Sequence, residues 1–380
     1  MTSRLAITAA TAHCGLSPTL LAAWPHLLAG ASAAREAAPP HLDAWPGRWF
    51  AAGIYHPESS DAAFAPHLFL ADLLLQYDFA GLDRVGLCFG ASKGVLSSDG
   101  ERVAMPHPEF VCDRIRGLAP ALEPVSCPVA ACATGLVAVV DAARWLERGR
   151  CQAVLAGAAD YSFNALVMAS YRRAGVLSSW PGEAAAAGRP FDAARCGFVL
   201  GEGCGLLVLE PEGSAARHGR EPLAILSGHA VHSDPTDLVA PDPSGRPVAE
   251  TVRRAIASAG LTPRDVDAVC CHGTGTRRND AAEARGLRAA FGADLDRVSC
   301  FSLKGAIGHT LGASGAVELA FCVEAVRSQT VPPHLNCDDL ADDCPIPKPS
   351  PVPVEREIRH LLKLSFGFGG PVAAVVVSRP

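Results

Sequence analysis

Three residues in this sequence sit where a side chain can react rather than only pack. Cys132 lies in Val129-Ala-Ala-Cys-Ala-Thr-Gly135, just before the helical run Leu136–Trp145. A thiol at a helix start faces unpaired N–H groups and the positive end of the helix dipole, and both favour the nucleophilic thiolate. Cys127, in Ser-Cys-Pro, lacks that setting. His272 opens His272-Gly-Thr-Gly-Thr276 at the end of an expected strand. His309 closes Lys304-Gly-Ala-Ile-Gly-His309, which runs into a helix carrying Glu318. Loops at strand ends hold ligands in α/β folds, so two histidines in glycine-rich turns are placed as site residues are. Neither turn is a phosphate cradle, because no G-x-x-x-x-G-K-[ST] or G-x-G-x-x-G occurs.

The elements that must position these residues alternate short apolar strands with longer Ala-rich helices, the pattern of an α/β protein with a buried sheet. Strands are expected at Leu5–Thr8, Val85–Phe89, Ala153–Ala156, Ala268–Cys271 and Ala373–Val377. Helices are expected at Gly135–Arg148, Glu250–Ala259 and Ala313–Ser328. Gly197–Leu209 alternates glycine with apolar residues, as two close-packed strands joined by a turn would. Trp180–Gly188 reads as a loop and Pro345–Pro353 as a surface excursion. The polar run Glu212–Glu221 divides the chain into halves, 1–211 and 212–380, each with a strand, a glycine-bearing turn with a reactive residue, and a helix.

Composition narrows the class. Of 380 residues, 49% are apolar and 19% charged, too apolar for a disordered chain. A net charge of −6 offers no basic field for phosphates, which excludes nucleic-acid binding as the main role. Apolar runs are too short for a membrane span of about 20 residues. Ala-Thr-Ala-His before Cys14 lacks the aliphatic residue of a lipoprotein site, so export is not expected. The 14 cysteines sit mostly among Ala, Val and Gly, as small reduced core residues do. No C-x-x-C pair supports a zinc site. A cytoplasmic, reduced protein is expected.

The chain resembles the elongating β-ketoacyl-acyl-carrier-protein synthases, condensing enzymes of the thiolase fold. The landmarks are Ala-Cys132-Ala-Thr-Gly, Arg189-Pro-Phe-Asp192, Gly197-Phe-Val-Leu-Gly-Glu-Gly203, His272-Gly-Thr-Gly-Thr, Asn279-Asp280-Ala-Ala-Glu283, Lys304 to His309, and Ser365-Phe-Gly-Phe-Gly-Gly370. The steps of 140 residues from Cys132 to His272 and 37 from there to His309 also fit. The likeness is strong from about Pro128 onward. Thiolases carry a second cysteine in the C-terminal half, and none lies in Ser365–Gly370. Initiating, acyl-CoA-using relatives have Asn where His309 stands, and chain-length-factor partners lack the nucleophilic cysteine.

The resemblance implies a five-layered α-β-α-β-α sandwich of two pseudo-symmetric halves and a decarboxylative Claisen condensation. Cys132 would carry the acyl group, and the backbone N–H groups of Cys132 and Phe368 would form the oxyanion hole. His272 and His309 would stabilise the enolate of malonyl-carrier protein. Lys304, with Glu318 behind it, would orient His309; Asp280 and Glu283 would hold the His272 loop. Thr274 and Thr276 would bind the phosphopantetheine arm. Partners would be acyl carrier protein with its acyl and malonyl thioesters, and a second subunit in a homodimer or a heterodimer with a related ketosynthase-like chain. No metal or resident cofactor is implied; phosphopantetheine arrives on the carrier protein.

Three departures stand out. The stretch before Cys132 is shorter than usual for this family, and Ala-Ala-Thr-Ala replaces a Thr-Gly turn after the first strand. Lys93, in Gly90-Ala-Ser-Lys93-Gly, stands where an apolar residue often lines the acyl pocket, so either it faces solvent or the pocket is polar and short. Asp234–Pro241 has Thr and Asp where aromatic and His residues are common. Tyr171, near a tunnel-lining position, fits a modified pocket. These changes point to a specialised fatty-acid, polyene or polyketide pathway. The alternatives are a supporting subunit of a heteromeric ketosynthase and a malonyl-carrier-protein decarboxylase.

Overall fold

A computed structural model describes residues 4–37, 48–53, 77–93, 97–98, 103–104, 107, 109–118 and 122–380. Ten strands build its main sheet. In the N-terminal half these are β1 (Leu5–Cys14), β2 (Val85–Gly90), β3 (Leu122–Ser126), β4 (Ala153–Asp160) and β5 (Gly203–Pro211). In the C-terminal half they are β6 (Ala224–Ser233), β7 (Ala268–Cys270), β8 (Ser299–Phe301), β9 (His360–Phe366) and β10 (Pro371–Ser378). The spatial order is β8-β7-β9-β10-β6-β1-β5-β4-β2-β3. Read outward from the β1–β6 junction, each half runs first, fifth, fourth, second, third, with the last three strands parallel and the other pairings antiparallel. The halves therefore repeat one topology. They join where Leu5–Ile7 pairs with Ala224–Leu226.

Helices α2 (Phe110–Leu118), α3 (Thr134–Glu147), α5 (Arg246–Ser258), α6 (Arg277–Phe291) and α7 (Ser314–Ser328) complete the layers, with α1 (Leu20–Leu28) and α4 (Ala165–Arg173) at the periphery. Helix α7 is buried on almost every side, as a helix with no polar face must be. It lies with α3 between the two halves of the sheet, in a cluster that includes Ile7, Leu136, Val139, Leu207, Phe321 and Val375. Strand alternation sends the neighbouring residues to the outer faces. Val208 joins Leu87, Phe89 and Ile115 of α2, while Val376 joins Val248 and Val252 of α5 and Leu287 of α6. The layers are thus α2, N-terminal strands, α3 with α7, C-terminal strands, and α5 with α6. Among the described residues no helix is long and apolar enough to cross a membrane.

The central helices start against one another. A Cβ on Gly135 would lie 2.6 Å from the Ala316 nitrogen, and one on Gly315 would meet the Leu136 nitrogen, so only glycine allows this approach. Each helix follows a one-turn 3₁₀ segment, Ala131–Ala133 or Leu311–Ala313, with a residue in left-handed backbone at its head: Ala131 at φ 47° and Leu311 at φ 46°.

Two expectations need correction. Strand β1 runs six residues beyond Thr8, to Cys14, because Ala-Ala-Thr-Ala stays paired with β5 rather than turning. Gly197–Leu209 is not a hairpin: Leu200–Gly201 pairs with Phe50–Ala52 in a separate small sheet, while β5 lies between β1 and β4. Gly205 serves contact with the central helix, since a Cβ there would sit 2.5 Å from the Val317 nitrogen.

Candidate active site

Cys132, His272 and His309 converge on one cavity of about 620 Å³, also lined by Tyr171, Phe198, Thr274, Thr276 and the Phe366–Val372 turn. The N-terminal half supplies Cys132 and the C-terminal half both histidines. Cys132 sits in the 3₁₀ turn ahead of α3, whose first residue closes it: Thr134 Oγ1 donates to the Ala131 carbonyl at 2.7 Å and accepts from Ala130 N–H at 2.9 Å. His309 directly precedes the matching turn ahead of α7. His272 follows β7.

The histidine rings lie 5.3 Å apart at an interplanar angle of 82°. Phe366 and Phe198 flank them, with ring centroids 5.2 Å from His272 and 5.0 Å from His309. His309 Nδ1 bonds Ser314 Oγ at 2.9 Å; with the hydroxyl as donor, the ring proton resides on Nε2. His272 Nδ1 is buried and has no hydrogen-bond partner among the described residues. Burial, and after it the charge of Lys304, holds both imidazoles well below their ordinary pKa; Lys363 adds to the effect on each. Both are therefore neutral at pH 7.

Cys132 departs from the sequence expectation. Burial pushes its thiol up to about 12; Asp160 adds to the rise, and Lys93 and Lys304 oppose it. Removing the sulfur from water outweighs what the helix end returns.

The backbone around the site is fixed by buried acids. Glu283 accepts from His272 N–H at 2.6 Å and Gly273 N–H at 2.7 Å. Asp280 accepts from Thr274 N–H at 3.0 Å and Phe191 N–H at 2.8 Å, tying the His272 loop to Arg189–Asp192. Burial raises the Glu283 carboxyl to about 7 even though both backbone donors lower it. Thr274 and Thr276 face each other, their hydroxyl oxygens 2.9 Å apart. The Phe368 turn is drawn to Cys132: Ser365 Oγ donates to the Cys132 carbonyl at 3.2 Å, and Gly367 packs on the Ala130 carbonyl. Phe368 itself is half-exposed at the cavity rim beside Leu238.

Lys304 does not bond His309. Its ammonium donates to the His272 carbonyl and to Glu318 Oε1, both at 2.6 Å, so it acts on the other histidine's backbone while Ser314 orients His309. Lys93 neither projects freely into solvent nor lines the cavity. It pairs with Asp160 Oδ1 at 3.0 Å and bonds Ser162 Oγ at 2.5 Å. Sequence reasoning missed Ser314, Ser365 and Lys363. Lys363 left a signal: a lone charge inside the apolar run Leu361–Phe366 requires a buried partner, and Glu318 provides it.

Comparison with known proteins agrees with this geometry. The β-ketoacyl synthase N-terminal domain model matches residues 121–215, and the β-ketoacyl synthase C-terminal domain model matches residues 223–338. A 3-oxoacyl-[acyl-carrier-protein] synthase 2 of Mycobacterium tuberculosis is 38% identical over 256 residues, 67% of this chain but only 61% of that protein. The tetracenomycin polyketide synthase ketoacyl synthase alpha subunit of Streptomyces glaucescens is 31% identical over 320 residues, 78% of this chain and 75% of its own length. A β-ketoacyl synthase structure from Burkholderia phymatum superposes with a TM-score of 0.86 at 25% identity, covering 100% of both chains. On these matches, the chain belongs to the β-ketoacyl synthase family.

Proposed function

We propose that the chain catalyses decarboxylative condensation of an acyl group on Cys132 with malonyl-carrier protein. The observation that carries this reading is the meeting of one thiol and two neutral imidazoles in a single cavity. In the first step the Cys132 sulfur attacks the acyl thioester, the acyl–sulfur bond of the carrier breaks, and the thiol proton ends on the departing phosphopantetheine sulfur. The covalent intermediate divides a difficult two-substrate reaction into two easier ones. Backbone N–H groups of Cys132 and Phe368 serve the developing oxyanion, each donor being worth about 10²–10³ in rate.

In the second step His272 and His309 donate to the malonyl thioester oxygen. The bond to the carboxylate breaks, carbon dioxide leaves, and its electron pair passes into an enolate held by both donors. The enolate carbon attacks the acyl-Cys132 carbonyl; the cysteine leaves as thiolate and recovers a proton from solvent. Neutral imidazoles suit this, because an imidazolium would pair with the malonyl carboxylate and favour the ground state over the transition state.

Thr274 and Thr276 contact the phosphopantetheine arm near the cavity mouth. The acyl chain meets Tyr171, with the Lys93–Asp160 pair setting a polar surrounding for Cys132. A fatty-acid or polyketide pathway, a cytoplasmic setting, and pairing with a second ketosynthase-like chain complete the proposal. Carrier-bound phosphopantetheine enters as substrate, and the residues supply the chemistry without a resident cofactor.

The test is to incubate the purified chain with acyl- and malonyl-carrier protein and read intact masses, with Cys132→Ala in parallel. Cys132-dependent acylation and a ketoacyl product support the reading. Carbon dioxide release without condensation marks a decarboxylase. No acylation from any acyl-carrier protein assigns the chain a supporting role beside an active synthase.

A further inference from the structure

We propose that Lys363 is a second positioning residue of the site, bracketing Glu318 with Lys304 so that an uncompensated positive charge lies behind His272 and His309 and adds to burial in disfavouring their protonation. The proposal rests on the condensing reading for its catalytic meaning. Lys363 is wholly buried in β9. Its ammonium donates to Glu318 Oε2 and to the Leu364 carbonyl at 2.6 Å, and it reaches the Cys271 carbonyl at 3.5 Å. Lys304 takes the other oxygen of the same carboxylate and the carbonyl of His272. One carboxylate is thus shared by two ammonium groups, each touching one of two successive carbonyls at the start of the His272 turn.

Charge counting follows from the geometry. Lys304 alone would balance Glu318; Lys363 leaves one positive charge over, in surroundings that exclude water. Lys304, Lys363 and His309 bear on His272, while Lys304, Lys363 and Lys93 bear on His309. The acids nearby are already engaged: Glu283 by two backbone N–H groups, Asp280 by Thr274 and Phe191 N–H, and Asp160 by Lys93. Asp160 is matched by Lys93 and Asp280 by Arg195, and burial keeps the Glu283 carboxyl protonated below about pH 7, so where an imidazole would titrate none of them offsets the excess at the rings.

The experiment follows imidazole ¹⁵N signals against pH in the substrate-free protein, so its readout does not depend on turnover. Three proteins are compared: wild type, Lys363→Met, and Lys363→Met with Glu318→Gln, which removes one charge of each sign and restores the excess. Wild-type His272 and His309 are expected to titrate well below the ordinary imidazole range. Lys363→Met is expected to raise the titration of at least one ring by about one pH unit or more, and the double variant to return it toward wild type. The acid limb of malonyl-carrier-protein decarboxylation is expected to move with the rings. Unshifted titration in folded Lys363→Met, or no return in the double variant, overturns the proposal. If the single variant does not fold, the double variant decides: ring titration above pH 6 there also overturns it. Ring shifts as expected in a wild-type protein inert toward both carrier-protein thioesters would leave the role of Lys363 standing and sink the condensing reading instead.

Discussion

The competition between burial and helix end at Cys132 can be measured directly. A rise from 9.0 to about 12 corresponds to about 4 kcal/mol against the thiolate. A helix N-terminus returns about 0.3–2 kcal/mol, so burial wins. At pH 7 about one molecule in 10⁵ would then carry a Cys132 thiolate, against about one in 10² for a thiol at 9. Alkylation by iodoacetamide, read peptide by peptide by mass spectrometry from pH 6.5 to 10, should reflect this. The logarithm of the Cys132 rate is expected to climb by about one per pH unit across the whole range, because only the thiolate reacts. Cys127 serves as the internal contrast: it is half-buried, and a hydrogen bond with Cys112 lowers its pKa, so its rate should level off first. A Cys132 rate that levels off below pH 8 would refute the reasoning and restore the helix end as the dominant influence. With burial dominant, the enzyme would keep its nucleophile as thiol until a thioester arrives.

Ser314→Ala removes the hydroxyl that bonds His309 Nδ1, and loss of about 1–1.5 kcal/mol of orientation should slow malonyl decarboxylation roughly tenfold while leaving Cys132 acylation within about twofold. Glu283→Gln turns an NH₂ group toward one of two buried backbone N–H donors, and urea unfolding should show a loss of about 1–3 kcal/mol. The folded Glu283 carboxyl titrates near 7 against an ordinary 4.5, so the native chain binds the extra proton. Wild-type stability relative to Glu283→Gln should therefore grow as pH falls from about 7 to 4.5, and a gap that is flat or opposite in slope would contradict the assignment. Gly135→Ala puts a methyl 2.6 Å from the Ala316 nitrogen; a midpoint drop in urea together with slower Cys132 acylation is expected, and unchanged values of both would count against the close helix contact.

The residues that bear chemistry were legible because their types are costly elsewhere: a histidine in a glycine-rich turn after a strand has few other uses. The positions of Cys132, His272 and His309 therefore read through, as did α3 and α7 to within a residue or two. What stayed hidden depended on distance along the chain. Lys304 reads as a partner of His309, five residues on, but its ammonium meets the carbonyl of His272, 32 residues away, because β7 and β8 run side by side. The Cys132 environment was misjudged because local sequence shows the helix start but not Trp49, Met168, Phe198, Leu200 and Leu311, the distant residues with which Cys132 is buried. The glycines of Gly197–Leu209 suggested a turn, but each answers to a separate distant backbone: Gly197 to Leu177, Gly201 to Ile307, Gly203 to His13 and Gly205 to Val317 of α7.

The paired 3₁₀ turns carry a consequence of their own. What the two halves share is a backbone device: an unfavourable left-handed residue, then an apex and an alanine, then the first residue of a central helix. The apex is Cys132 in one copy and Gly312 in the other, where a Cβ would come within 2.5 Å of the Ser92 nitrogen. The hydroxyl that follows closes its own turn in one copy, as Thr134, and aims a histidine in the other, as Ser314. Because the shared part is main-chain geometry, each copy was free to specialise without undoing the other. Under the proposed reaction the result is a division of labour in which one half offers the electron pair and the other the proton donors. Because α3 and α7 are packed in one core drawn from both halves, neither turn would hold its place without the other half.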